Sequence, residues 1–147
     1  NSDDQHNLVN IEDFPEITFT LIGKGAYGKV YKGVNLVTGE HYALKVTDYS
    51  EDKTQGIPAQ VLREISALKE LNNLDHPNLV KLIDVIPKLT KIYLVFEFCR
   101  GDLFGLINSW RPNPPRDLKL IKSMLKQILM GVHACHCARI MHRDMKP

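Results

Sequence analysis

The stretch "EITFTLIGKGAYGKVYKGV" (residues 16–34) decides how the rest of the chain is read. Runs rich in β-branched and aromatic residues flank Gly23, Gly25 and Gly28. The glycines therefore fall between two strands, where missing side chains let a backbone close over something. A glycine-rich dinucleotide fingerprint would need a helix directly afterwards, and "YKGVNLVTG" does not supply one. The strand context favours a phosphate-covering flap, although such a hairpin standing alone is more often purely structural.

Working outward, the turn signal Thr38-Gly39 returns the chain through "EHYALKV", which makes a small antiparallel sheet. That strand carries Lys45, at the distance expected of a lysine reaching under the flap toward phosphates; alone it would read as a surface lysine. The polar stretch "TDYSEDKTQG" leads to Pro58, which suits a first helical position. Leu62, Ile65, Leu68 and Leu71 or Leu74 then recur at helical spacing, with Arg63, Glu64, Lys69 and Glu70 elsewhere on the cylinder, until Asp75-His76-Pro77-Asn78 ends the pattern. "NLVKLIDVI" and "KIYLVFEF" complete the sheet, the second so continuously apolar that a central strand covered on both faces is expected. Gly101 and "RPNPP" break the pattern. Leu118, Ile121, Leu125, Ile128, Leu129 and Val132 then mark a long helix that should lie deep inside a larger body, with Lys119, Lys122 and Lys126 on its solvated face.

The expected fold class is α+β: a flexible lead-in (1–15), a strand-rich lobe with one helix (16–98), a connector (99–102) and the first part of a helical lobe (103–147). A net charge of +2, with 24% charged and 44% hydrophobic residues, fits a globular protein with no bias toward nucleic acid or membrane. No apolar run approaches the roughly 20 residues of a membrane span. The odd, uneven set Cys99, Cys135 and Cys137 argues against a disulfide framework and for an intracellular location, nucleus or cytoplasm.

Further chemistry joins the flap and Lys45. Glu64 is a natural partner for a lysine held extended toward α- and β-phosphates, the plain alternative being a solvated carboxylate beside Arg63. After the long helix come His142, Arg143 and Asp144, with Lys146 two positions on. Asp144 suits orienting an attacking hydroxyl or accepting its proton, and Lys146 suits neutralising a transferred phosphoryl group. His133, Cys135, His136, Cys137 and His142 invite a metal reading. However, positions 135 and 137 point to nearly opposite sides of a helix and no second pair has zinc-site spacing, so no metal site is expected. Cys99 lacks a base or basic cluster that would make it a nucleophile.

From Ile17 to Pro147 the sequence resembles the eukaryotic protein kinases, and within them the cyclin-dependent kinases. "GIPAQVLREISALKEL" is similar to that family's cyclin-binding helix, with Pro58, Arg63 and Glu64 matching its signature and Ala59 to Leu62 departing from it. The resemblance implies a protein serine/threonine kinase that uses ATP and Mg2+, acts on a protein substrate and binds a cyclin through the helix around Pro58–Leu71. It implies ATP contacts along Ile22, Gly23, Lys24, Gly25, Ala26, Tyr27, Gly28, Lys29, Val30, Ala43 and Lys45. In "YLVFEFCRGDL" it makes Phe96 the gatekeeper, gives adenine the backbone of Glu97 and Cys99, and sets Asp102 near the ribose. Tyr27 and Arg143 take regulatory positions. Ala26-Tyr27, where many relatives have Thr-Tyr, and the lengthened "LNNLDHPN" look more like the kinases partnered by D-type cyclins.

The family's magnesium ligands, an Asn shortly after the catalytic Asp and a later Asp-Phe-Gly, are not among these residues. The chain is therefore expected to be the front part of a kinase, whether by truncation, incomplete gene prediction or splicing. The alternative is a non-catalytic short form that binds and titrates a cyclin. The polar loop before the helix suggests that the helix moves, so in the continued chain Lys45 and Glu64 are expected to pair only when a partner pushes it inward.

Overall fold

A computed structural model of the chain describes residues 8–9 (backbone only), 14–25, 28–49, 57–111, 113–114 and 117–147. Its elements are β1 (Leu8–Val9), β2 (Ile17–Gly25), β3 (Gly28–Asn35), β4 (His41–Asp48), α1 (Ala59–Asn72), β5 (Leu82–Pro87), β6 (Lys91–Glu97), α2 (Leu103–Trp110) and α3 (Leu118–Cys137). They fall into two compact units: Asn1–Ile65 with Lys81–Phe98, and Ser66–Val80 with Cys99–Pro147.

The first unit is one antiparallel sheet in the order β1-β2-β3-β4-β6-β5. The β3–β4 turn forms because Asn35 Oδ1 accepts from the N–H groups of Val37 (2.8 Å) and Thr38 (3.0 Å), while Gly39 takes the positive φ of 73° that closes it. Alternation along β3 and β4 sends Tyr31 and Leu44, which lie opposite each other, into a core with Phe19 and Tyr93. β6 is an interior strand between β4 and β5, one in from the edge, and Ile92, Tyr93 and Leu94 are buried in succession, so both of its faces are covered there as expected.

Of the lead-in expected over 1–15, residues 8–9 and 14–15 are described. β1 pairs with β2 at Leu8↔Thr20 and Val9↔Phe19. Phe14 sets its ring edge-on to Phe19 (5.7 Å) and Tyr93 (5.9 Å). A two-residue strand has no readable period in sequence, and an aromatic ring such as Phe14 can join a core from outside any strand.

Pro58 stands just before α1, its carbonyl accepting from the N–H groups of Val61 and Leu62, one position earlier than expected. The buried residues of α1 are Val61 and Ile65, whereas Leu62, expected on the apolar stripe, is exposed.

In the second unit, α2 is an element the sequence reading did not anticipate. Asp102 Oδ1 accepts from the Gly105 N–H (2.8 Å) and starts it. Asp117 caps α3 in the same way through Lys119 N–H (2.8 Å). α3 runs close to the backbone at Asn78: a Cβ on Gly131 would stand 2.7 Å from the Asn78 carbonyl oxygen, and Asn78 Nδ2 donates to Gln127 (3.3 Å). Leu118, Ile121, Leu125 and Leu129 of α3 are exposed in this chain and its buried residues are Gly131 and Cys135, the deep burial expected of the helix being that within a larger body. Its apolar arc is wider than anything the described residues lay against it. Lys119, Lys122 and Lys126 are exposed as expected. No helix among the described residues is long and apolar enough to cross a membrane.

Candidate active site

The flap is the β2–β3 hairpin, whose last registered pair is Gly25↔Gly28. Its three glycines have different physical duties. Gly28 has φ 126°, and a Cβ there would meet the Val46 carbonyl oxygen at 2.1 Å, so only glycine lets β3 approach β4 at this point. A Cβ on Gly23 would make ordinary contact with Val30, and one on Gly25 would meet nothing within 4 Å. Gly25 thus leaves open space beside the flap. Ala26 and Tyr27 lie outside the described residues, so the inhibitory role expected of Tyr27 does too.

Between Leu21↔Tyr31 and Gly23↔Val30 the register slips by one residue, which leaves Ile22 as a bulge with an exposed side chain. Lys24 and Lys29 are directly opposite each other and exposed, two like charges that an anion would relieve. Val30 pairs with Lys45, and Ala43, two residues before Lys45, shares its face. The sheet therefore divides its labour: Tyr31 and Leu44 go to the core, while Val30, Ala43 and Lys45 form the face that carries the lysine.

Lys45 Nζ lies 2.5 Å from Glu64 Oε1, with the side chains 22% and 37% exposed. The pair is formed in the 147-residue chain. Once β4 and the first turns of α1 have folded, one charge-assisted hydrogen bond is enough to draw the two groups together. A cavity of about 640 Å³ borders the flap and α1, lined by Gly25, Gly28, Val46, Pro58, Val61 and Glu64; Ile22, Val30, Ala43 and Lys45 do not line it.

At the end of β6, the Glu97 N–H donates to the Lys81 carbonyl (3.0 Å) and the Glu97 carboxylate accepts from the Lys81 N–H (2.8 Å). Any backbone contact from Glu97 to a ligand thus falls to its carbonyl. Phe96 is half-buried opposite Ala43. Cys99 and Asp102, in the second unit, are exposed. Asp102, read from sequence as a ribose neighbour, spends one carboxylate oxygen on capping α2. The pattern of Asp, apolar pair, Gly and apolar pair in "DLFGLI" was the signal available for that cap.

Asp144 and Lys146 also meet: Lys146 Nζ donates to Asp144 Oδ2 (2.8 Å), with both side chains largely exposed. The hydrogen bond and charge of Lys146, with a smaller contribution from His142, hold the Asp144 carboxyl below its ordinary range against a slight opposing effect of burial. Arg143 takes a positive φ of 63°, and His142 Nδ1 accepts from the Asp144 N–H (3.2 Å). The sequence reading gave His142 no task; here it shapes the turn that presents Asp144. The structure thus makes two pairs, Lys45 with Glu64 in the first unit and Asp144 with Lys146 in the second.

A family model described as the protein kinase domain matches residues 17–147. The chain belongs to the protein kinase family. Its antiparallel sheet with one helix, followed by the start of a helical lobe, is the corresponding part of that fold.

Proposed function

We propose that the chain serves an ATP-dependent serine/threonine protein kinase of the cyclin-dependent type, and the Lys45–Glu64 pair is the observation that carries this reading. The residues present suit a nucleotide triphosphate. Val30 and Ala43 offer an apolar strip for adenine, Lys45 is held extended by Glu64, and Gly25 faces open space where phosphates need backbone approach. Lys24 and Lys29 add positive charge at the flap. Mg2+, when bound, neutralises phosphate charge; its expected ligands, the Asn and the Asp-Phe-Gly aspartate, are not among residues 1–147.

In this reading Lys45 binds and orients the α- and β-phosphates, and Glu64 fixes the lysine's position. Asp144 accepts a hydrogen bond from the substrate serine or threonine hydroxyl and then its proton. Lys146 can turn from Asp144 to the transferred phosphoryl oxygens. Arg143 and Tyr27 remain the regulatory positions of this scheme.

The partner reading rests on α1: its Pro58, Arg63 and Glu64 pattern, and the exposure of Leu62 beside it, suit a cyclin surface, with Ala26 and "LNNLDHPN" favouring the D type. In the continued chain a cyclin seated on this helix would hold the Lys45–Glu64 pair closed, and kinase activity is expected to depend on it. The same surface would serve a short form that captures cyclin without catalysis.

Two measurements test these readings. Lys45→Met should weaken binding of a fluorescent ATP analogue about tenfold or more, as expected for losing a hydrogen bond to a charged group; unchanged binding would remove the nucleotide role. Pull-downs with each cyclin class should capture D-type cyclins and lose them on Leu62→Asp. Selective capture of mitotic cyclins would refute the subgroup.

A further inference from the structure

We propose that the last turn of α3 is a two-donor site for a borderline divalent metal such as Zn2+, made by His133 Nε2 and Cys137 Sγ. These atoms are 3.5 Å apart on exposed side chains four residues apart, so they project from one face of the helix. The separation suits chelation. With metal–sulfur and metal–nitrogen distances of about 2.3 and 2.0–2.1 Å, a tetrahedral angle puts the two donors about 3.6 Å apart. The pair is therefore already spaced for one ion, with little movement of either side chain.

The helix end adds to this. α3 finishes at Cys137, where the carbonyl end of the helix dipole favours positive charge. On binding, the Cys137 thiol loses its proton to solvent as the sulfur–metal bond forms, while neutral His133 coordinates through Nε2 and keeps its hydrogen on Nδ1. No change of oxidation state is involved.

Cys135 is buried and His136 is not part of the contact, so the earlier argument against a Cys135–Cys137 site stands while this pair escapes it. Among the described residues no group of three or more His, Cys, Asp or Glu side chains is arranged for a metal. Two coordination positions therefore go to water or to an outside donor, and the bound ion exchanges readily.

The experiment is a Co2+ titration of the 147-residue chain, followed by the thiolate-to-cobalt absorption band and displacement with Zn2+. One ion per chain is expected. Cys137→Ser should abolish the band, and His133→Ala should weaken binding about tenfold or more, as loss of metal-site support typically does. Cys99→Ser and His136→Ala should leave binding unchanged. A band that persists in Cys137→Ser, or an unaltered affinity in His133→Ala, overturns the assignment. Alkylation of the unsubstituted chain gives a readout free of folding effects: Zn2+ should slow labelling of Cys137 and spare that of Cys99, which is also exposed. Equal protection of both cysteines, or of neither, would also overturn it.

Discussion

In the sheet unit Leu44 and Leu94 retain 1% and 0% of their exposure, while on α3 Leu125 and Leu129 retain 54% and 58%. The side chains are the same and their surroundings differ. A sheet gathers its own cover, because strands close together in sequence meet edge to edge and alternate side chains share one face. A helix cannot cover its own stripe and depends on other elements. Between α2 and α3 this leaves an apolar groove of about 520 Å³, lined by Leu103, Ile107, Trp110, Ile121, Leu125 and Ile128. The chemistry follows the same division. Lys45 and Glu64 are fixed in a partly enclosed place, whereas Asp144 and Lys146 hold each other in solvent.

The largest expected effect tests the contrast directly. Leu44→Ala or Leu94→Ala should cost about 2–5 kcal/mol in chemical denaturation, as buried leucines do. In the monomer, at protein concentrations low enough to keep the chain apart, Leu125→Ala or Leu129→Ala should change stability by about 0.5 kcal/mol or less. Comparable costs in both places would mean that the α3 face is covered in solution. Self-association is the route by which that would happen, since exposed apolar patches drive it. The 147-residue chain is accordingly expected to associate, and Leu125→Gln with Leu129→Gln to reduce association in sedimentation. A monomer whose α3 mutants cost as much as Leu44→Ala would break the comparison.

The same division explains what was legible in the sequence. "KIYLVFEF" and "EHYALKV" carried their pairing in their composition, and Lys45 and Glu64 could be matched because one motif fixed each end. α2 was missed because it is eight residues long and contains Gly105. Its existence depends on the Asp102 cap, and that aspartate already had a ligand role in the sequence reading. The exposure of Leu62 was hidden because helical spacing admits two neighbouring stripes, and only packing chose the one through Val61 and Ile65. Sequence named the Lys45–Glu64 pair but not the position of α1 that closes it. A polar loop before a helix suggests motion, but sequence gives no measure of where the helix rests.

A second, smaller effect separates glycines that look alike in sequence. Gly28→Ala must take an unfavourable φ and push against the Val46 carbonyl, which should destabilise the sheet unit by about 2 kcal/mol and speed amide exchange around Val46. Gly25→Ala has room and should stay within about 0.5 kcal/mol. Equal effects would show that the hairpin tip adopts another arrangement in solution. Smaller again, Lys45→Met should alter stability by about 1 kcal/mol or less despite its effect on nucleotide, because a pair this accessible to water is heavily screened. A loss of several kcal/mol would mean that the pair is part of the core.

The smallest effect concerns the exposed pair. Lys146 lowers the Asp144 pKa first through its hydrogen bond and then through its charge, with His142 adding a little. Lys146→Ala should therefore move the Asp144 carboxyl signal, followed by NMR across an acid titration, up toward the ordinary carboxylate value. The sign for stability follows from the lowered folded value. The pair's contribution is fully present above the unfolded carboxyl pKa and fades as pH falls through the folded one, so it is intact at neutral pH. Because both groups stand in water, salt should shrink the shift, and ionic strength offers a second check without mutation. A shift that survived high salt would mean that the Asp144 loop is more enclosed than the structure places it, and the contrast between the two pairs would fail at its most exposed point.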